Sequence, residues 1–312
     1  MTTILGAGAF GTALAVALSG TGPVTLWGRR LPEARETTRL PGVTLPEAVR
    51  LTDDLTAALN GAERVILALP AQALRGFLAL HGDELDGRWL INTAKGIDLE
   101  TGESPSTLIL RACPKARVAA LTGPSFAADI ARGQPTALTL ASTAPGLEEL
   151  QHALSTPVLR LYRSDDLRGA ELGGALKNVI AIAAGVAIGA GYGDSARAAV
   201  ITRGFAEMVR LATRLGARPE TLSGLSGLGD LVLTSTSALS RNFRYGKSLG
   251  EGVPFDSGVT VEGAATARAT GVLARDQGIA MPIANAVAAL AQGSASVAQT
   301  METLMTRPLK EE

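Results

Sequence analysis

Several residues in this 312-residue chain have types and spacings that could do chemistry. The first set is Gly6-x-Gly8-x-x-Gly11, within 6-GAGAFG-11. Glycines so spaced permit a tight turn, a close backbone approach to a pyrophosphate, and close packing of the helix that follows. The second group is lysine. Only five of the 29 basic residues are lysines: Lys95, Lys115, Lys177, Lys247 and Lys310. Arginine carries the routine surface charge, so a lysine inside an apolar segment needs a reason. Lys177 lies in 171-ELGGALKNVIAIAAG-185, with Gly173 and Ala181 four residues to either side and Gly174 three before it. On a helix these positions share its face, and small residues there admit a ligand or another backbone. Partial burial would lower the amine's pKa and suit it to acid–base work. The competing reading is a helix lysine whose stem lies along the surface.

Other candidates sit on predicted loops. Lys95 follows the run 89-WLINTA-94, and 122-TGPSFA-127 ends another run in the same way. There Gly123 and Pro124 shape a turn, and Ser125 offers a hydroxyl and an N–H to an anion. A surface lysine and an ordinary Gly-Pro turn are the alternatives. Asp230 ends the glycine-rich loop in 223-SGLSGLGDLVLTS-235. It either orients Lys177, bonds a substrate hydroxyl, or caps a helix. In 240-SRNFRYG-246, Arg241 with Asn242 could grip a phosphate bidentately, or lie in a solvated loop. The two histidines, His81 and His152, and the single cysteine, Cys113, are isolated and read as packing or surface residues. No metal is therefore expected at a His/Cys site, a carboxylate site staying open, and no intrachain disulfide is expected.

The elements that must position these groups differ between the two halves. Short aliphatic runs alternate with helical patterns up to about residue 165. Strands are expected at 2–5, 24–28, 64–70, 89–94, 118–123, 136–141 and 158–163. Helices are expected near 9–19, 53–59, 71–80, 104–112 and 145–154, with Asp53 and Ser104 as N-caps. Uninterrupted apolar strands suit a parallel sheet covered on both faces. The expectation is an α/β fold: an N-terminal Rossmann-like, doubly wound sheet over 1–165, then an all-α domain over 166–312, with the active site between them. In the second half apolar residues recur at helical spacing, from Ala198 through Ile201, Phe205, Met208 and Ala212 to Leu215. Further helical stretches lie near 261–277, 283–292 and 296–305.

Composition narrows the function. The chain is 46% hydrophobic and 19% charged, with a formal net charge of zero, which disfavours a nucleic-acid partner. Residues 1–28 carry no charge, but no basic residue opens them and glycines interrupt them, so neither a signal peptide nor a membrane span is expected. After the second strand the chain reads 27-WGRR-30, where an NAD site usually carries an acidic residue. Arg29 and Arg30 either pair with a 2′-phosphate, favouring NADP(H) with NAD(H) possible, or are two solvated arginines. Hydride exchange between a nicotinamide and a carbonyl also needs an acid for the developing alkoxide, and Lys177 is the leading candidate.

The segments GAGAFGTALA, VTLWGRR, NTAKGI, TGPSFA, ELGGALKNVIAIAAG, LSGLGDLVLT, SRNFRYG, VEGAATA and MPIANAV occur in that order. In this the chain resembles the bacterial NAD(P)-dependent glycerol-3-phosphate dehydrogenases almost end to end. The resemblance implies reversible reduction of dihydroxyacetone phosphate to sn-glycerol 3-phosphate, supplying glycerophospholipid synthesis, by a cytoplasmic homodimer. It implies that Lys177 is the proton donor and acceptor. It also implies substrate contacts from Lys95, Gly123, Ser125, Lys177, Asp230, Ser240, Arg241 and Asn242. Cofactor contacts are implied for Ala9, Phe10, Arg29, Lys95, Ala127, Arg241 and Glu262, beside the glycine turn. Phe243 stands where many members carry a basic residue. Two alternatives share much of this pattern. One is a β-hydroxyacid or ketopantoate reductase, whose substrate carries a carboxylate instead of a phosphate. The other is a non-catalytic NADP-binding sensor.

Overall fold

The computed structural model describes residues 1–31 and 35–306. The chain forms two compact units. The first comprises Met1–Asp98 and Glu103–Glu171; the second comprises Leu99–Gly102 and the chain from Leu172 onward.

In the first unit, eight strands among the described residues make one sheet. They are β1 (Thr2–Leu5), β2 (Val24–Trp27), β3 (Val49–Thr52), β4 (Arg64–Leu67), β5 (Trp89–Asn92), β6 (Arg117–Thr122), β7 (Thr136–Ala141) and β8 (Leu159–Ser164). Their order is β3-β2-β1-β4-β5-β6-β7-β8. All neighbours are parallel except β6 and β7. The first six strands therefore have the doubly wound order, whose reversal lies between β1 and β4. The intervening helices are α1 (Ala9–Ser19), α2 (Leu55–Leu59), α3 (Ala71–Leu85), α4 (Pro105–Ala112), α5 (Ala127–Ala131) and α6 (Leu147–Leu154).

Alternate residues of the central strands enter opposite cores. Ile4, Ile66 and Ile91 pack in one cluster with Leu14, Leu26 and Leu121. Leu5, Leu67 and Leu90 pack in another with Leu74, Leu78 and Ile109. Burial on both faces is why these strands read as unbroken apolar runs. Strands β1 and β7 have the expected bounds, β2, β4 and β5 end one to three residues early, β6 and β8 are shifted by one residue, and β3 and α5 are additional. Ser104 caps α4 as expected, accepting from the Thr107 N–H. The cap of α2 is Asp54, whose carboxylate accepts from Ala57 N at 3.1 Å. Asp53 does not fill that role: the helix starts one residue later, and the Asp53 carbonyl accepts from Trp27 Nε1 at 2.9 Å.

Helix α7 (Leu167–Gly189) begins in the first unit and continues as the central helix of the second. It is long and apolar enough to cross a membrane, but 83% of its most apolar window is buried inside the protein. Around it lie α8 (Gly193–Arg214), α9 (Pro219–Ser223), α10 (Asp230–Thr236), α11 (Arg241–Glu251), α12 (Glu262–Asp276), α13 (Pro282–Ala291) and α14 (Val297–Met305). Helices α7 and α11 cross through glycines. A Cβ at Gly185 or Gly189 would lie 2.1 Å from a backbone oxygen of α11, and one at Gly246 would lie 1.9 Å from Ile182 O. That crossing seats the first turn of α11, which carries Arg241 and Asn242.

Candidate active site

The first unit supplies an anion cradle at the carboxyl end of β1. Gly6 adopts φ +124°, and its N–H donates to Trp27 O at 2.9 Å. A Cβ there would lie 2.3 Å from Ala68 O, and one at Gly11 would lie 2.0 Å from Gly6 O. Both positions exclude any larger residue. Gly8 is different: it is exposed, and a Cβ would meet nothing within 4 Å. It precedes α1, whose first turn has neither a side-chain cap nor an acidic residue. Unpaired N–H groups and the positive helix end therefore face an open approach, which fits a dinucleotide pyrophosphate. Ala9, Phe10 and Ala127 pack on one cluster where α1 meets α5.

Strand β2 lies beside β1 in register, with Leu5 opposite Trp27. Arg29 and Arg30 follow two and three residues later, both exposed. The Lys95, Gly123 and Ser125 candidates also come together. They follow the adjacent parallel strands β5 and β6, Lys95 Nζ donates to Gly123 O at 3.0 Å, and Ser125 Oγ donates to the same oxygen at 3.3 Å. The sheet thus gathers these candidates at its carboxyl edge, the ligand-binding edge of doubly wound folds.

In the second unit Lys177 is buried, with 5% of its surface exposed. Its Nζ donates to Asp230 Oδ1 at 3.0 Å and to Thr234 Oγ1 at 2.6 Å. The Thr234 hydroxyl in turn donates to Asp230 Oδ1 at 3.1 Å. Asp230 thus pairs with the lysine at the first position of α10. The small face of α7 admits another backbone. A Cβ at Gly173 would lie 2.8 Å from Ser226 O and 3.1 Å from Gly227 Cα, in the π-turn Leu225–Gly229 that delivers Asp230. The stretch expected as a glycine-rich loop is thus this turn between two short helices.

One residue along α7, Asn178 Oδ1 accepts from Asn242 Nδ2 at 2.9 Å. Asn242 Oδ1 accepts from Gly263 N at 3.0 Å, next to Glu262 at the start of α12. Ser240 is buried and caps α11, accepting from Phe243 N at 3.1 Å. Arg241 is exposed at the first position of α11, while Phe243 turns inward and is buried. Thr234 and Asn178 escaped the sequence reading. Their signals were faint: Thr234 stands four residues after Asp230, and Asn178 directly follows Lys177.

Comparison with known proteins gives concordant matches. Residues 1–147 match the family model described as NAD-dependent glycerol-3-phosphate dehydrogenase N-terminus, and residues 166–302 match its C-terminus. A glycerol-3-phosphate dehydrogenase (NAD(P)+) of Paracoccus denitrificans is 66% identical, with 99% of each chain covered. One from Cereibacter sphaeroides is 62% identical over the whole of both chains. Among solved structures, a glycerol-3-phosphate dehydrogenase from Coxiella burnetii superposes with TM-score 0.92 at 34% identity, covering 98% of each chain.

Proposed function

The chain belongs to the NAD-dependent glycerol-3-phosphate dehydrogenase family, and from that premise we propose that it catalyses the reversible reduction of dihydroxyacetone phosphate to sn-glycerol 3-phosphate. It is an oxidoreductase that uses NAD(P). The bound nicotinamide cofactor supplies the hydride in reduction and takes it back in oxidation. The glycine turn and the start of α1 would hold its pyrophosphate, flanked by Ala9, Phe10 and Ala127. Arg29 and Arg30, exposed past β2, would take a 2′-phosphate, making NADP(H) the preferred form.

The observation that carries the catalytic assignment is the buried Nζ of Lys177 between Asp230 and Thr234. As the carbonyl oxygen of the substrate gains negative charge, Lys177 gives it a proton; in the reverse direction the amine takes the alcohol proton. Asp230 and Thr234 hold Nζ in place, so no side-chain reorganisation accompanies the charge change. Lys95, Gly123 and Ser125 would bind substrate. Arg241 grips its phosphate, with Asn242, whose amide is fixed by Asn178 and Gly263. The expected biological product is glycerol 3-phosphate for glycerophospholipid synthesis, made in the cytoplasm by a homodimer.

The test is absorbance of NADPH, and separately NADH, on adding dihydroxyacetone phosphate. Rapid oxidation with a higher kcat/KM for NADPH is expected. No oxidation of either cofactor would overturn the assignment, and a clear NADH preference would overturn the role of Arg29 and Arg30.

A further inference from the structure

One buried carboxylate in the first unit takes no part in the mechanism above. Glu171, on the second turn of α7, is 6% exposed. The start of α7 is fixed on the sheet, because Leu167 and Ala170 pack against Ala120 of β6 and Ala141 of β7. Glu171 Oε1 accepts from Ser106 N at 2.9 Å and from Asn92 Nδ2 at 3.2 Å. Its Oε2 pairs with Ser106 Oγ at 2.5 Å. The carboxylate thus sits on the N-terminal turn of α4, where unpaired N–H groups favour an anion. Burial nonetheless raises its pKa, so the charge is held at a cost that its hydrogen bonds reduce.

Asn92 leads from this anchor to the substrate edge. It is the last residue of β5, and its side chain closes the turn that follows. Its Oδ1 accepts from Ala94 N at 2.9 Å, and its Nδ2 also donates to Ala94 O at 3.3 Å. The next residue is Lys95, whose amine reaches Gly123 O.

Resting on the dehydrogenase reading, we propose that Glu171 is a positioning residue that acts through Asn92 to hold the 92–95 turn and so place the Lys95 amine for substrate. Ser106 anchors Glu171 on α4 through its N–H and hydroxyl, and its hydroxyl also pairs with that of Ser104. The three side chains therefore separate positioning from packing. Asn92→Ala and Glu171→Ala should each raise KM for dihydroxyacetone phosphate about tenfold while changing kcat much less, the signature of lost ground-state binding. Glu171→Gln keeps an acceptor toward Asn92 and should restore KM to within about threefold. Ser106→Ala should lower Tm yet leave KM unchanged.

Amide hydrogen exchange gives a readout without substrate. The Ala94 N–H should exchange faster in Asn92→Ala and Glu171→Ala, and at the wild-type rate in Ser106→Ala. Should Glu171→Ala fail to fold, Asn92→Ala decides alone. Unchanged KM and unchanged Ala94 exchange in Asn92→Ala would overturn the proposal, as would a KM that rises equally in Ser106→Ala. Failure of the wild-type protein to reduce dihydroxyacetone phosphate would instead refute the dehydrogenase reading, which the exchange measurement leaves untouched.

Discussion

Replacing Gly173 by alanine probes how the Lys177–Asp230 pair is assembled. The new Cβ would lie 2.8 Å from Ser226 O and 3.1 Å from Gly227 Cα, both backbone atoms that cannot rotate away. Ordinary contact begins near 3.4 Å, so the turn must retreat by about 0.6 Å. Asp230 follows that turn directly, and the same displacement would stretch its 3.0 Å bond to Lys177 Nζ to about 3.6 Å, beyond hydrogen-bonding range. Misplacement of 1 Å can cost ~100-fold in rate, so about tenfold in kcat is expected here. Over-packing of this kind costs about 1–3 kcal/mol, which lowers Tm by roughly 2–10 °C. Thermal melts and initial rates at saturating dihydroxyacetone phosphate and NADPH measure both effects. A lowered Tm with wild-type kcat would refute the idea that the α7 face positions Asp230 for Lys177.

Other consequences follow from buried groups. Glu207 is 2% exposed and accepts from the N–H groups of Ile283 at 2.9 Å and Ala284 at 3.2 Å, satisfying the first turn of α13 from a different helix. Glu207→Ala should therefore destabilise the protein by about 2–4 kcal/mol in chemical denaturation; a loss below ~0.5 kcal/mol would contradict the capping role. Burial pushes the Cys113 thiol up to about 11. The folded enzyme should resist thiol reagents at pH 8 and react fully once unfolded; rapid native labelling would contradict this burial. The raised pKa of Glu171 means its contribution to stability is greatest below the ordinary carboxylate range and is lost as pH rises through the folded-state value. The Tm of Glu171→Gln relative to wild type should accordingly increase with pH across that window, and a flat difference would refute the charge penalty.

Much of the first unit was legible because its signals are local. The glycine spacing, the apolar runs and the Ser104–Pro105 helix start each depend on a few consecutive residues, whereas the strand order and the antiparallel pairing of β6 with β7 do not. Strand β3 was not, because 49-VRLT-52 is short, lies at the sheet edge and is only partly buried, so it carries neither an apolar run nor a clean alternation. Helix α5, at five residues, is too short to show a period. In the site, the residue types at Lys177, Asp230, Arg241 and Lys95 announced themselves, but their partners did not. Lys177 and Asp230 are 53 residues apart, and the contact exists because the π-turn packs on Gly173. Likewise nothing local ties Glu171 to Asn92, 79 residues earlier. Such pairings are properties of packing between distant segments.

The proposed mechanism makes the Lys177 amine the proton donor to the substrate carbonyl. The direct measurement is the turnover of Lys177→Ala with dihydroxyacetone phosphate and NADPH, on folded protein whose NADPH binding is verified by fluorescence titration. A fall of at least ~100-fold in kcat with cofactor affinity retained is the predicted result. Turnover within a few-fold of wild type would contradict the mechanism.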